Sequence, residues 1–191
     1  MNIPLFPLNT VLFPGGLLPL RIFEPRYVDM VRECMREETG FGVVQIRAGQ
    51  ETGQAAEPEP IGTLARITDW DQSPDGLLAI TALGEQRFRT LSRAVQKNQL
   101  TLAEVELLPA EPEHPMPADL GFLSELTEQI INQLGEPWRE LSCQFDEARW
   151  VGYRLAELLP FSNQDKQTML AMHDPLGRVR LLAELVKPKE Q

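Results

Sequence analysis

The stretch Ile3–Met30, IPLFPLNTVLFPGGLLPLRIFEPRYVDM, decides how the chain is read. It is apolar, with prolines at Pro4, Pro7, Pro14, Pro19 and Pro25. Each proline removes a backbone donor and fixes φ, so the stretch is not one helix but extended pieces joined by turns. Pro14-Gly15-Gly16 is a turn, because proline presets one position and glycine allows positive φ at the next. Leu17 to Phe23 reads as a second strand. Glu24-Pro25 opens a helix, where a missing N–H costs nothing and a carboxylate faces the positive helix end. Tyr27, Val28, Val31, Cys34 and Met35 form its apolar side, and Thr39-Gly40 ends it.

Beyond the helix, Phe41 to Ile46 is a β-branched run that reads as a strand. Gly49 to Pro60 lacks periodicity and is expected to be a mobile loop. Ile61 to Trp70 alternates as a strand, and the turn at residues 72–76 carries Asp75-Gly76, a strong hairpin signal. Leu77 to Leu83 pairs back, Gly84-Glu85 reads as a second tight connection, and Gln86 to Ser92 is a further strand with Phe88 inward. Leu100 to Leu108 closes the β-rich part. Six to eight strands with short turns predict a closed or nearly closed barrel over residues 1–108.

Pro109 to Pro117, PAEPEHPMP, breaks the composition and reads as an extended linker with solvated Glu111 and Glu113. Residues 118–191 then read as an α-helical bundle. Leu120, Leu123, Leu126, Ile130, Ile131 and Leu134 share one helical face, and residues 135–137 stop that helix. Ala148, Val151, Leu155, Leu158 and Leu159 share another. Ser162 caps a third helix, Asp174-Pro175 starts a fourth, and Pro188 ends it. The class is α+β.

The chain has 191 residues, is 42% hydrophobic and 24% charged, and carries a formal charge of −10. That charge disfavours a nucleic-acid partner, which needs a concentrated basic face. Cys34 and Cys143 are far apart and form no C-x-x-C or Cys/His metal spacing, so they read as reduced thiols. The N-terminus lacks the basic start of a secretory signal, and no apolar run approaches the roughly 18 residues that span a bilayer. A cytoplasmic, membrane-free protein is expected, with no metal and no cofactor.

Catalytic patterns are missing: there is no G-x-S-x-G, H-E-x-x-H or G-x-x-x-x-G-K-[ST]. A hydrolase built on Cys143 or Cys34, with His173 as partner to the former, needs an electropositive setting that the sequence does not supply. Glu24, Arg26 and Arg87 stand among apolar residues. They read as structural charges, in ion pairs or backbone hydrogen bonds that fix the first helix, in preference to groups of a binding cleft. Phe13 and Pro14 at the turn tip, with Trp70 beside the later turn, form either an exposed patch or ordinary core. Lys166-Gln167 reads as a solvated helical turn.

One series is specific. F-P-L at residues 6–8, V-L-F-P-G at 11–15, I-F-E-P-R-Y at 22–27, F-G-V-V at 41–44, I-G-T-L-A-R-I at 61–67 and G-E-Q-R-F at 84–88 occur in order. D-G at 75–76, R-L-A-E-L-L-P at 154–160, K-Q at 166–167 and D-P-L-x-R at 174–178 complete it. The chain resembles the Lon protease N-terminal, substrate-binding domain family over nearly its whole length. The resemblance implies a PUA-like β pseudo-barrel followed by a C-terminal helical bundle. It supplies no catalytic residues. The chain ends at Gln191 without a nucleotide motif, so a stand-alone member lacking the ATPase and Ser–Lys peptidase domains is expected. The implied role is a non-catalytic substrate-recognition module, expected to grip unfolded or apolar segments of other proteins. The apolar residues themselves, not the resemblance, mark Phe13, Pro14, Phe23, Tyr27 and Trp70 as the expected peptide contacts. Strand addition at a barrel edge is one mode. The rivals are an RNA-binding PUA-like module and a scaffold for one folded partner, and the helical half is a candidate homodimer contact.

Overall fold

Residues 1–72, 76–136, 138 and 142–186 are described by the computed structural model. Two units follow each other in sequence, Met1–Pro109 and Ala110–Gln191. The first holds β1 (Asn2–Leu8), β2 (Leu17–Ile22), α1 (Pro25–Glu37), β3 (Phe41–Ala48), β4 (Glu57–Pro58), β5 (Ile61–Gln72), β6 (Leu78–Val95) and β7 (Thr101–Leu107).

Pairing runs β1-β7-β6-β5-β3 and returns to β1, so five strands form a closed ring. The β1–β3 pair is parallel and the other ring pairs are antiparallel. β1 lies between two apolar clusters, which explains its unbroken apolar run. Ile3 and Leu5 pack with Val44, Phe88, Ala103 and Val105. Phe6 and Leu8 pack with the inner side of α1, namely Tyr27, Met30, Val31 and Cys34. The Phe6 and Tyr27 rings stack at 4.1 Å. Gly42 sits under Phe88, where a Cβ would come within 2.7 Å of the ring.

The turn at Pro14 forms as its sequence predicts. Gly16 donates its N–H to the Phe13 carbonyl at 3.0 Å, and Gly15 takes φ +73°. Gly84, expected as a turn, is instead inside β6, one continuous strand of 18 residues. Its carbonyl accepts from Gly15 N–H at 2.7 Å and its N–H donates to the Gly16 carbonyl at 2.9 Å. Two residues therefore face one, the pattern of a bulge with glycine at the positive-φ position. A Cβ on Gly84 would lie 2.4 Å from the Phe13 carbonyl oxygen, so this glycine serves a close backbone approach.

Two further expectations for α1 change. The helix ends on Glu38, which takes the left-handed conformation at φ +52°, rather than on Gly40. Glu24 is the N-cap residue, but its carboxylate makes no capping bond. It pairs with Arg26 Nη2 at 3.0 Å. The loop after β3 is held at several points: Asn9 N–H donates to Glu51 Oε1 at 2.6 Å, and Arg26 Nη2 donates to the Glu51 carbonyl at 3.4 Å. Ser73, Pro74 and Asp75 of the expected hairpin turn lie outside the described residues.

The second unit holds a short 3-10 turn (Ala118–Leu120), α2 (Gly121–Leu134), α3 (Ala148–Leu158), α4 (Asn163–Ala171) and α5 (Pro175–Val186). α3 packs against α2, α4 and α5 and is buried around most of its circumference. The cap at Ser162 forms, accepting from Asp165 N–H at 3.1 Å. Pro137 and Pro188, read as helix stops, lie outside the described residues.

The proline-rich segment is not solvated throughout. Glu111 is buried and clasps the buried Arg178 through two bonds, at 2.9 and 2.6 Å. Arg178 also donates to the Met169 and Met172 carbonyls and lies 4.3 Å from the centre of the Tyr153 ring. Pro115 bridges to Glu147, which caps α3 by accepting from Arg149 and Trp150 N–H. Lys166-Gln167 also departs from its reading. Gln167 is buried, and Lys166 Nζ donates to the Glu157 carbonyl at 2.7 Å.

Candidate functional site

Among the described residues, several strand segments of the first unit carry a strand on one side only, and two of them, β2 and the far end of β5, adjoin grooves. β2 pairs with β6 alone. β5 pairs with β3 only at residues 63–65, so residues 66–72 have β6 alone.

Along β2, Ile22 is buried in the core and Leu18 and Leu20 pack against it. The Gly84-to-Gly16 bond sets the even-numbered residues toward β6, so the backbone of Pro19 faces the other way. A proline there sacrifices no ladder bond. A groove of about 210 Å³ adjoins this strand, lined by Phe6, Leu8, Leu20, Phe23 and Tyr27 with Glu24 and Glu51. Phe23 is 59% exposed. Tyr27 is buried, and that burial pushes its phenol pKa up to about 12. Arg26 is buried beneath, 4.6 Å from the centre of the Tyr27 ring, and donates to the Gln99 carbonyl at 2.9 Å. With its bonds to Glu24 and Glu51 it ties three chain segments together.

Along β5, residues 66–70 form one wall of a second groove of about 470 Å³. The other wall is the last turn of α1, with Cys34, Met35, Glu38 and Thr39. Trp70 is 58% exposed there. Its N–H is taken by Asp69 Oδ1 at 2.8 Å, and Gln72 N–H by Asp71 Oδ1 at 2.7 Å. A third concavity of about 380 Å³ touches Pro19 and Arg21 of β2 as well as Trp70. The registers Leu20↔Ile80 and Ile80↔Trp70 place Trp70 two strands across from Leu20.

The residues singled out in the sequence thus separate. Phe23, Tyr27 and Glu24 meet at one groove, and Trp70 lines another. Phe13 is fully buried and presents no surface, while Pro14 is half-buried at its turn. The difference at Phe13 is physical: the bulge folds the turn against Gly84 and so takes the aromatic ring inward. Arg87 is buried, and its carbonyl accepts from Leu108 N–H at 2.8 Å. Asp69, Asp71 and Glu38 are not among the residues that the sequence singles out, although D-W-D, an aromatic residue between two acids, is a visible signal for the two aspartates.

Neither thiol is activated. Burial pushes the Cys34 pKa up, and desolvation does the same for the exposed Cys143. A nucleophilic cysteine needs the opposite shift. Among the described residues, no group of three His, Cys, Asp or Glu side chains is placed to hold a metal ion. No helix among them is long and apolar enough to cross a membrane.

A family model for the ATP-dependent protease La (LON) substrate-binding domain matches residues 2–188. Lon protease 2 of Myxococcus xanthus is 28% identical over 99% of this chain and 24% of its own length. The Lon protease of Anaeromyxobacter dehalogenans is 26% identical over 99% of this chain and 23% of its own. The chain therefore spans about a quarter of these relatives. The crystal structure of a Lon N-terminal domain protein from Xanthomonas campestris matches with a TM-score of 0.81 and 35% identity, over 96% of this chain and 98% of that one. The N-terminal domain of a Mycobacterium avium complex Lon protease matches with a TM-score of 0.64 over 96% and 97%, and at 15% identity it bears on the fold alone.

Proposed function

Because the chain belongs to the LON substrate-binding domain family, we propose that it is a non-catalytic module that binds extended, unfolded segments of other proteins. In this reading the strand unit is a PUA-like pseudo-barrel and the helices after it form a bundle. The segment lies along a strand edge and buries apolar side chains in the adjoining groove. Main-chain bonding of this kind reads backbone more than sequence, which suits a receptor for many substrates. One observation carries the reading: Phe23 and Trp70, large and exposed, stand at grooves beside strand segments paired on one side only. Exposed aromatic residues at such positions are anchors that a partner covers.

The experiment is a titration of a permanently unfolded, labelled protein with wild type and with a Phe23→Ser, Trp70→Ser double variant. Both side chains are exposed, so the variant is expected to keep its urea midpoint. Its affinity is expected to fall about ten-fold or more, the loss of one or two aromatic anchors. Unchanged affinity in a folded double variant removes these edges as the binding surface.

A further inference from the structure

The groove between α1 and β5 differs from the β2 groove in its charge. Residues 66–72 of β5 lie beyond the reach of β3, and five consecutive residues of that run line the groove. The pairing with β6 shifts at Thr68, a bulge that interrupts the regular alternation of side chains, and the run is an edge because β6 is its one strand partner among the described residues. The bonds from Asp69 and Asp71 agree. Trp70 and Gln72 give their N–H groups to side chains instead of to β6, so those donors point to the open side. Each aspartate spends one oxygen on its neighbour's N–H.

The groove's charges are uneven. Glu38 and Asp69 contribute carboxylates, and the last turn of α1 adds the negative end of a helix dipole. Arg66, the one cation among the lining residues, has Glu85 Oε1 at 2.8 Å from its Nε. Arg36, the basic residue of the helix's last turn, pairs with Glu33 and Glu37 and is not part of the lining. Trp70 adds a large exposed π-face, and indole is the best aromatic partner for a cation.

We propose that this groove takes an extended segment carrying a lysine or arginine side chain, whose cation lies against Trp70 and is countered by Asp69 and Glu38. This rests on the substrate-binding reading and names a class of substrate within it. Both aspartates guard the edge, and Asp69, the one that lines the groove, has a second task. In the free protein they occupy the outward N–H groups and so guard the edge against casual pairing, as charged residues do on exposed strands. When a cationic segment arrives, its charge compensates the carboxylates of Asp69 and Glu38 while its backbone aligns with the edge. A segment bearing glutamate at the same place meets like charge and is rejected. An anionic polymer such as RNA is disfavoured on the same ground.

The test uses the full chain and four labelled, unstructured peptides. They share one apolar and aromatic pattern and differ at a central residue: lysine, arginine, glutamine or glutamate. Binding is read by fluorescence anisotropy at low and high salt. A partly exposed ion pair plus a cation–π contact predicts about three- to ten-fold tighter binding of the lysine and arginine peptides than of the glutamine peptide. The glutamate peptide is expected to bind weakest, and the differences to shrink in high salt as screening shortens the charges' reach. Asp69→Asn, whose side-chain oxygen still accepts the Trp70 N–H, is expected to reduce the preference for lysine over glutamine. Equal binding of the lysine and glutamine peptides, or a preference that survives Asp69→Asn undiminished, overturns the charge proposal and leaves the substrate-binding reading standing. Failure of all four peptides to bind overturns both.

Discussion

Replacing Glu111 with alanine is expected to unfold the helical unit at much lower denaturant concentration. Arg178 is fully buried, and its guanidinium meets five acceptors or faces: two Glu111 oxygens, the Met169 and Met172 carbonyls and the Tyr153 ring. Alanine removes both carboxylate oxygens and the only formal counter-charge among those groups. The two carbonyls and the ring do not neutralise a buried cation. Breaking a buried pair by deleting one partner costs about 3–5 kcal/mol, most of it the stranded charge. For a unit of this size, 1 kcal/mol moves Tm by about 4–8 °C, so a shift beyond about 10 °C follows. The assay is urea unfolding followed by circular dichroism at the helical band, with the Glu111→Leu, Arg178→Met double variant beside it. The double variant removes both charges, and its loss is expected to be well below that of Glu111→Ala alone. A loss under about 1 kcal/mol for Glu111→Ala, a value typical of exposed pairs, refutes the claim that this clasp holds the proline-rich segment to α5.

Three other outcomes are expected. Gly84→Ala pushes a methyl group against the Phe13 carbonyl and is expected to lower stability by about 1–3 kcal/mol, read as a lower urea midpoint. Thr63→Val removes the buried bond of 2.6 Å from Thr63 Oγ1 to the Leu12 carbonyl and strands that carbonyl, for an expected cost of about 1–3 kcal/mol. Glu157 is pushed up to about 7 by burial, against the opposing pull of Arg154 and Lys166. A carboxyl raised in the folded state binds more protons there than in the unfolded chain between about pH 4 and 7. Its contribution is therefore full below the unfolded pKa and is lost as pH rises through about 7. Urea midpoints at pH 5 and pH 8 are expected to fall more steeply for wild type than for Glu157→Gln, and parallel profiles contradict the assignment.

Local chemistry was the legible part of this chain. Pro14-Gly15 carries its own geometry, as do the helix start at Pro25 and the cap at Ser162, because turn and cap preferences are set within a few residues. The family resemblance was equally visible, since its motifs are strings. Long-range pairings were not. Gly84 looks like a turn because glycine often marks one, and only the approach of Phe13 explains it otherwise. Glu111 looks solvated beside four prolines, and its partner lies 67 residues away. The buried charges of α3 and α5 were hidden for the same reason, as a helix face shows which residues are apolar but not which arginine finds a carboxylate. At the candidate site, the string shows only the type of each aromatic residue. Burial then separated Phe23 and Trp70 from Phe13 and Tyr27, a property of the packed chain and not of the string.

The central claim is that this domain distinguishes unfolded from folded chain. The most direct measurement is a pair of anisotropy titrations against one labelled protein, in its native form and as a permanently unfolded variant of the same composition. Saturable binding to the unfolded form, with the native form at least about ten-fold weaker, is the expected result for a receptor that reads exposed backbone and apolar side chains. Equal affinity for both forms, or binding to neither, contradicts it.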